Sequence, residues 1–202
     1  MAAPTTIGIM LFADFETLDV FGPVQMWGHM PNCRISFVSA DGRPARSSQG
    51  VTVEVDHSFQ TTPSFNVLMV PGGTGTRNLV DDVPTIQFLR ACDRSTDWTT
   101  SVCTGAALLA RTGLLNGRSA TTNKRAFKWV RSLNEHVNWR ESARWVRDGK
   151  FLTSSGVSAG TDMALALVEL LRGLEVAQGV ARTAEYMWNR DPTNVPFAED
   201  IG

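Results

Sequence analysis

Cys103 lies in the segment Thr100-Ser101-Val102-Cys103-Thr104-Gly105-Ala106-Ala107, where a strand pattern over 97–102 runs directly into a helix pattern over 106–110. A cysteine at such a junction occupies a tight strand-to-helix turn, as in a nucleophile elbow. Its sulfur would face the free N–H groups and the positive dipole end of the next helix. That environment is expected to lower a thiol pKa from about 8.5 toward neutrality or below. Gly105 leaves room for something to approach the turn. The competing reading of Cys103 is a small buried apolar residue, the commonest role of a free cysteine. Cys33 and Cys92, at a strand start and a helix end, lack such a context and read as structural.

Two other groups bear on this chemistry. Asp19 precedes a helix and reads either as its N-cap or as a carboxyl beside the thiol, giving or taking a proton. Asp14 and Glu16 share its loop and read as solvated. Pro71-Gly72-Gly73 ends a strand; it is a turn, or it lets backbone N–H groups approach a substrate atom as in an oxyanion hole. No Gly-Lys-Ser/Thr follows it, so a phosphate loop is disfavoured. The histidines fall away from this edge: His29 in a helix, His57 in a hairpin excursion, His136 beyond a helix over 127–133. A Cys–His dyad therefore has no evident base, which favours Cys103 working with a carboxyl group.

These residues need a scaffold, and the pattern supplies one. Apolar runs at 6–12 and 66–70 are typical of strands buried on both faces. The run at 34–39 alternates like another strand. Helices are expected near Asp19, with Pro23 in the first turn, over 85–91 after Asp82-Val83-Pro84, from Ser158 or Ala159 through Leu171, and over 174–188. Asp148-Gly149 marks a hairpin, and Gly42, Pro44 and Gly50 punctuate a small hairpin excursion over 41–58. Strands alternating with helices predict a single α/β domain over 1–202 with a mainly parallel sheet. Ligands bind such sheets at the carboxyl ends of the strands, where the Asp19 loop, Pro71-Gly72-Gly73 and Cys103 all fall.

Bulk properties remove other classes. A net charge of −1 without a Lys/Arg block argues against nucleic acid or a membrane surface as partner. Three scattered cysteines make neither a disulfide framework nor a zinc site. No basic region precedes the first apolar stretch and no apolar run reaches spanning length, so a cytoplasmic protein is expected.

Taken together, the segments resemble the ThiJ/PfpI superfamily, and within it the isonitrile hydratase branch. The resemblance rests on Leu18-Asp19-Val20-Phe21-Gly22-Pro23, Val70-Pro71-Gly72-Gly73, Thr100-Ser101-Val102-Cys103-Thr104-Gly105, Gly113-Leu114-Leu115-Asn116-Gly117 with Ala120-Thr121-Thr122, and Ser154-Ser155-Gly156-Val157-Ser158-Ala159-Gly160-Thr161-Asp162. It implies a flavodoxin-like fold with helices on both faces of the sheet, Asp19 as the acidic residue beside the cysteine, a homodimer, and no metal or organic cofactor. Relatives commonly read Ala-Thr-Thr-His-Trp where this chain has Ala120-Thr121-Thr122-Asn123-Lys124, so Asn123 replaces a histidine near the cysteine. Relatives that act as regulators often carry a C-terminal helix-turn-helix domain, for which 202 residues leave no room.

The chemistry implied is hydration of an isonitrile to an N-substituted formamide, with Asp19 as acid, Cys103 as nucleophile, and Thr104 placing water through its hydroxyl. The backbone N–H groups of Thr104 and Gly73, with Gly72 alongside, would hold the reacting atoms. Direct attack by water, with Cys103 in support, is the variant. The rival functions are an enzyme acting on glyoxals or small carbonyls, and a non-catalytic ligand or redox sensor built on Cys103.

Overall fold

The computed structural model describes residues 3–198. β1 (Thr5–Met10) leads through α1 (Thr17–Gly28) to β2 (Cys33–Ser39). The excursion that follows pairs β3 (Ala45–Arg46) antiparallel to β4 (Thr52–Val53), then returns β5 (His57–Ser58) to the edge of β2. Next come β6 (Val67–Val70), α2 (Thr76–Leu79), α3 (Val83–Asp93), β7 (Trp98–Val102) and α4 (Gly105–Arg111). β8 (Ser119–Ala120) and β9 (Asn138–Trp139) pair around a 3-10 turn and α5 (Phe127–Ser132). The hairpin of β10 (Trp145–Asp148) and β11 (Phe151–Ser154) precedes α6 (Ala159–Arg172) and α7 (Leu174–Thr183).

The main sheet has the order β10-β11-β7-β6-β1-β2-β5, parallel except for β10. This is the mainly parallel α/β sheet the pattern predicts and the flavodoxin-like arrangement the resemblance implies. Every residue of β6 is buried, as a strand covered on both faces must be. The helices pack in two groups, α1 with α6 and α7, and α4 with α2, α3 and α5. Close packing of α1 on α6 depends on Gly22, whose Cβ would collide with Thr161 Oγ1, and on Trp27, whose Nε1 donates to the Ala164 carbonyl at 3.1 Å. No described helix is long and apolar enough to cross a membrane.

Two expectations need correction. Pro23 lies inside α1, not in its first turn. Proline has no N–H to give the carbonyl four residues earlier, which here belongs to Asp19. The helix expected over 174–188 ends at Thr183. Beyond it the chain leaves the helical path at Glu185 (φ 48°), and Asp162 on α6 takes up the tail. The Asp162 carboxylate accepts from Tyr186 Oη and the Asn189 N–H, and its carbonyl accepts from Trp188 Nε1. Helical periodicity in 184–188 loses to these bonds.

Candidate active site

Cys103 has φ 56°, the left-handed geometry of an elbow. Its N–H donates to Ser154 O at 3.2 Å, and its carbonyl accepts from Thr122 Oγ1 at 2.8 Å, so the strained turn is clamped from both sides. Gly105 does admit a close neighbour, namely the end of β6, since a Cβ there would strike the Val70 carbonyl. The elbow thereby locks against Pro71-Gly72-Gly73.

Asp19 is the third residue of α1 rather than its cap, a position Glu16 occupies. Its side chain is fully buried; Oδ2 accepts from the Gly72 N–H at 2.9 Å, and Oδ1 has no hydrogen-bond partner among the described residues. Burial holds its pKa well above the ordinary carboxylate range; the Gly72 bond and the neighbouring Cys103 thiol offset that only in part, and the Glu16 charge adds to it. The thiol likewise departs from expectation. Cys103 is 7% exposed, and burial, together with the Asp19 charge, pushes its pKa up, against a smaller lowering by the Thr104 N–H and hydroxyl. The helix-terminus effect predicted for this sulfur is therefore outweighed: α4 is seven residues long, and a buried carboxyl sits opposite.

Gly72, Gly73 and Thr104 converge on the same place, although their hydrogen bonds run inward. The Gly73 N–H donates to Thr104 Oγ1 at 3.0 Å, and Thr76 Oγ1 donates among Gly73 O (2.7 Å) and Thr104 Oγ1 (3.1 Å). With the Gly72 N–H on Asp19, the two glycine donors hold the acid and the threonine in place. A Gly72 Cβ would stand 2.7 Å from Thr104 Oγ1 and 2.8 Å from Asp19 Oδ2, so the absence of a side chain is what lets those groups meet. Gly73 has φ 128° and passes under the 14–16 loop, whose Glu16 N–H donates to Gly72 O at 2.8 Å.

Sequence reasoning missed Glu16, half-buried rather than solvated and felt by both Asp19 and Cys103. It also missed Thr76, Thr122 and Gly156. The last two lie in segments that carry the resemblance; Thr76 carried no sequence signal. Lys124, next to Asn123, is 3% exposed, and burial lowers its pKa to about 8. Its ammonium donates to Thr121 Oγ1 and Ala143 O, both at 2.9 Å, tying down the loop that supplies Thr122. All three cysteines are free thiols. Among the described residues, no cluster of three His, Cys, Asp or Glu side chains has the arrangement to hold a metal ion.

Comparison with known proteins gives the family. The model of the DJ-1/PfpI family matches residues 5–170. Isonitrile hydratase of Pseudomonas putida is 35% identical over 180 residues, which cover 89% of this chain and 78% of that protein. The crystal structure of a ThiJ/PfpI family protein from Pseudomonas syringae superposes with a TM-score of 0.86 at 28% identity, covering 96% of this chain and 79% of the other. Drosophila melanogaster DJ-1beta shares the fold, with a TM-score of 0.81 at 21% identity over 92% of this chain and all of that one. The chain belongs to the DJ-1/PfpI family.

Proposed function

We propose that this protein hydrates isonitriles to N-substituted formamides, acting on a small molecule as a cytoplasmic homodimer without a cofactor. The observation that carries the reading is the unpartnered Oδ1 of a fully buried Asp19 beside Cys103. Burial favours the protonated carboxyl, and a carbene-like isonitrile carbon needs a proton before a nucleophile can add. That carbon bears no substituent beyond its nitrogen, which suits a sulfur as enclosed as this one.

The resting state then needs no preformed thiolate. Asp19 gives its proton to the terminal carbon, the sulfur bonds to that carbon, and the thiol proton passes to the Asp19 carboxylate. The product is the thioimidate R–N=CH–S–Cys103. Water adds to its carbon, with one proton going to nitrogen. Collapse of R–NH–CH(OH)–S releases the formamide and returns the thiol. Thr104, held by Gly73 and Thr76, fixes the elbow's backbone and the place where water enters.

The same burial weighs against a redox sensor, because peroxide attacks an exposed thiolate. The test is an infrared assay with cyclohexyl isonitrile, following loss of the N≡C band and appearance of formamide. Turnover that vanishes in Cys103→Ala supports the covalent scheme; full activity in that variant sinks it. Methylglyoxal turnover exceeding isonitrile turnover would move the assignment to carbonyl substrates. Sedimentation velocity tests the dimer.

A further inference from the structure

Asn123 contributes a donor to this site that neither the fold nor the reaction above has used. It precedes the 3-10 turn Lys124–Ala126, and its Oδ1 accepts from the Ala126 N–H at 3.2 Å. That bond fixes the amide orientation and turns Nδ2 the other way. Nδ2 has no acceptor among the described residues. The side chain is half-buried, and Nδ2 crowds the same point as the nucleophile. A Cβ on Gly156 would stand 2.7 Å from Asn123 Nδ2 and 3.1 Å from Cys103 Sγ. Gly156 thus acts as the gap across which the amide and the sulfur face one another.

The loop that presents Asn123 is rigid at both ends. On one side Thr122 Oγ1 is bonded to the Cys103 carbonyl, and on the other the Lys124 ammonium is anchored on Thr121 and Ala143. An amide held this way loses little entropy when it binds a ligand. Meanwhile the N–H groups of Gly72 and Gly73 are committed to Asp19 and Thr104. The Thr104 N–H faces the sulfur itself, so the nitrogen of a molecule bound on Cys103 must find its donor elsewhere.

Resting on the hydratase reading, we propose that Asn123 Nδ2 donates to the substrate nitrogen, to the lone pair that forms there as sulfur adds and that the thioimidate then carries. In R–N=CH–S–Cys103 the nitrogen is two bonds from Sγ and carries a lone pair, which places it in the gap between Sγ and Nδ2. A donor on that lone pair withdraws electron density from the C=N carbon and speeds attack by water. It also directs R away from Asn123, so this residue selects the orientation of the substituent. No proton needs to leave the amide: nitrogen is protonated by the incoming water, and Asn123 remains a donor throughout.

The test compares wild type with Asn123→Ser and Asn123→Asp, both of which keep an oxygen to cap Ala126 and remove the amide N–H. Steady-state turnover of cyclohexyl isonitrile is read beside intact-protein mass and thermal unfolding. The expected result is kcat lower by about a hundredfold in both variants, the low end of the range for loss of a preorganised donor. KM should change less than kcat, and the unfolding midpoint should stay near that of wild type. A species equal to protein plus one isonitrile should accumulate during turnover of Asn123→Ser, because hydrolysis of the adduct is slowed. Turnover in either variant equal to wild type overturns the inference while leaving the hydratase reading intact. So does a loss of activity that tracks a loss of folded protein. Wild-type protein inert toward isonitriles overturns both.

Discussion

Two aspartates, each wholly buried in the first turn of a long helix, have opposite surroundings. Asp162 on α6 is saturated: Arg144 Nε and Nη2 reach its Oδ2 at 2.8 and 2.5 Å, while Tyr186 and the Asn189 N–H fill Oδ1. Among the described residues, Asp19 on α1 has one backbone N–H, no ion pair, and an oxygen without a hydrogen bond. A buried charge needs a counter-charge and a full set of hydrogen bonds. Asp162 meets that condition and serves as the peg that ties the residue before β10, α6 and the C-terminal tail together. Asp19 fails it, and burial holds its pKa well above the ordinary carboxylate range. Since α1 and α6 pack directly on one another, the contrast is made by neighbours rather than by depth.

The contrast can be broken at either end. The largest effect expected is on turnover: Asp19→Asn keeps an acceptor for the Gly72 N–H but has no acid, and isonitrile hydration should fall by about a thousandfold, within the range for a lost general acid. Comparable activity in that variant would place the proton donor elsewhere. Asp162→Ala should do the reverse. It leaves the Arg144 guanidinium buried and unpaired, costing about 3–5 kcal/mol by chemical denaturation, with kcat per folded molecule largely kept. A variant as stable as wild type would remove Asp162 from its structural role.

A subtler outcome concerns pH. The folded-state pKa of Asp19 is raised, whereas in the unfolded chain it returns to about 3.9. Its contribution to stability is thus complete below the unfolded value and is lost as pH rises through the folded one, at up to about 1.4 kcal/mol per pH unit. Asp19→Asn abolishes that slope, so the variant's unfolding midpoint should gain on wild type as pH increases from 4. A difference independent of pH would mean that Asp19 is ionised in the folded protein. The smallest effect expected is for Tyr186→Phe, which removes one of the bonds to Asp162 and should cost about 1 kcal/mol without touching turnover. Burial and the Asp162 charge hold the Tyr186 phenol at about 12, so no titration of that group intrudes below pH 10.

Much of this was legible in the chain. The unbroken apolar runs of β1 and β6 could only be interior strands, and the switch of period at residues 102–106 located the elbow. The helix expected after Asp82-Val83-Pro84 is present as α3, with Asp82 as its cap and the Thr85 N–H on its Oδ2. The errors share one cause. Pro23 was placed by a local rule for helix starts, the tail over 184–188 by a local period, and the Cys103 thiol by the nearest helix. For the tail and the thiol a residue far along the chain decided the outcome, Asp162 in the one case and Asp19 in the other.

Period and residue type therefore sufficed for the strand order's ingredients, the turn geometry at Cys103 and the short roster of groups able to do chemistry, because these depend on a few adjacent residues. Protonation and pairing did not follow from them. The raised pKa of Asp19 depends on how far the fold buries it and on the charge of Glu16 beside it. Whether Asn123 faces the sulfur depends on Gly156, 33 positions away, having no side chain. Electrostatic energies are set by distance through space and by exclusion of water, and only the folded chain assigns those.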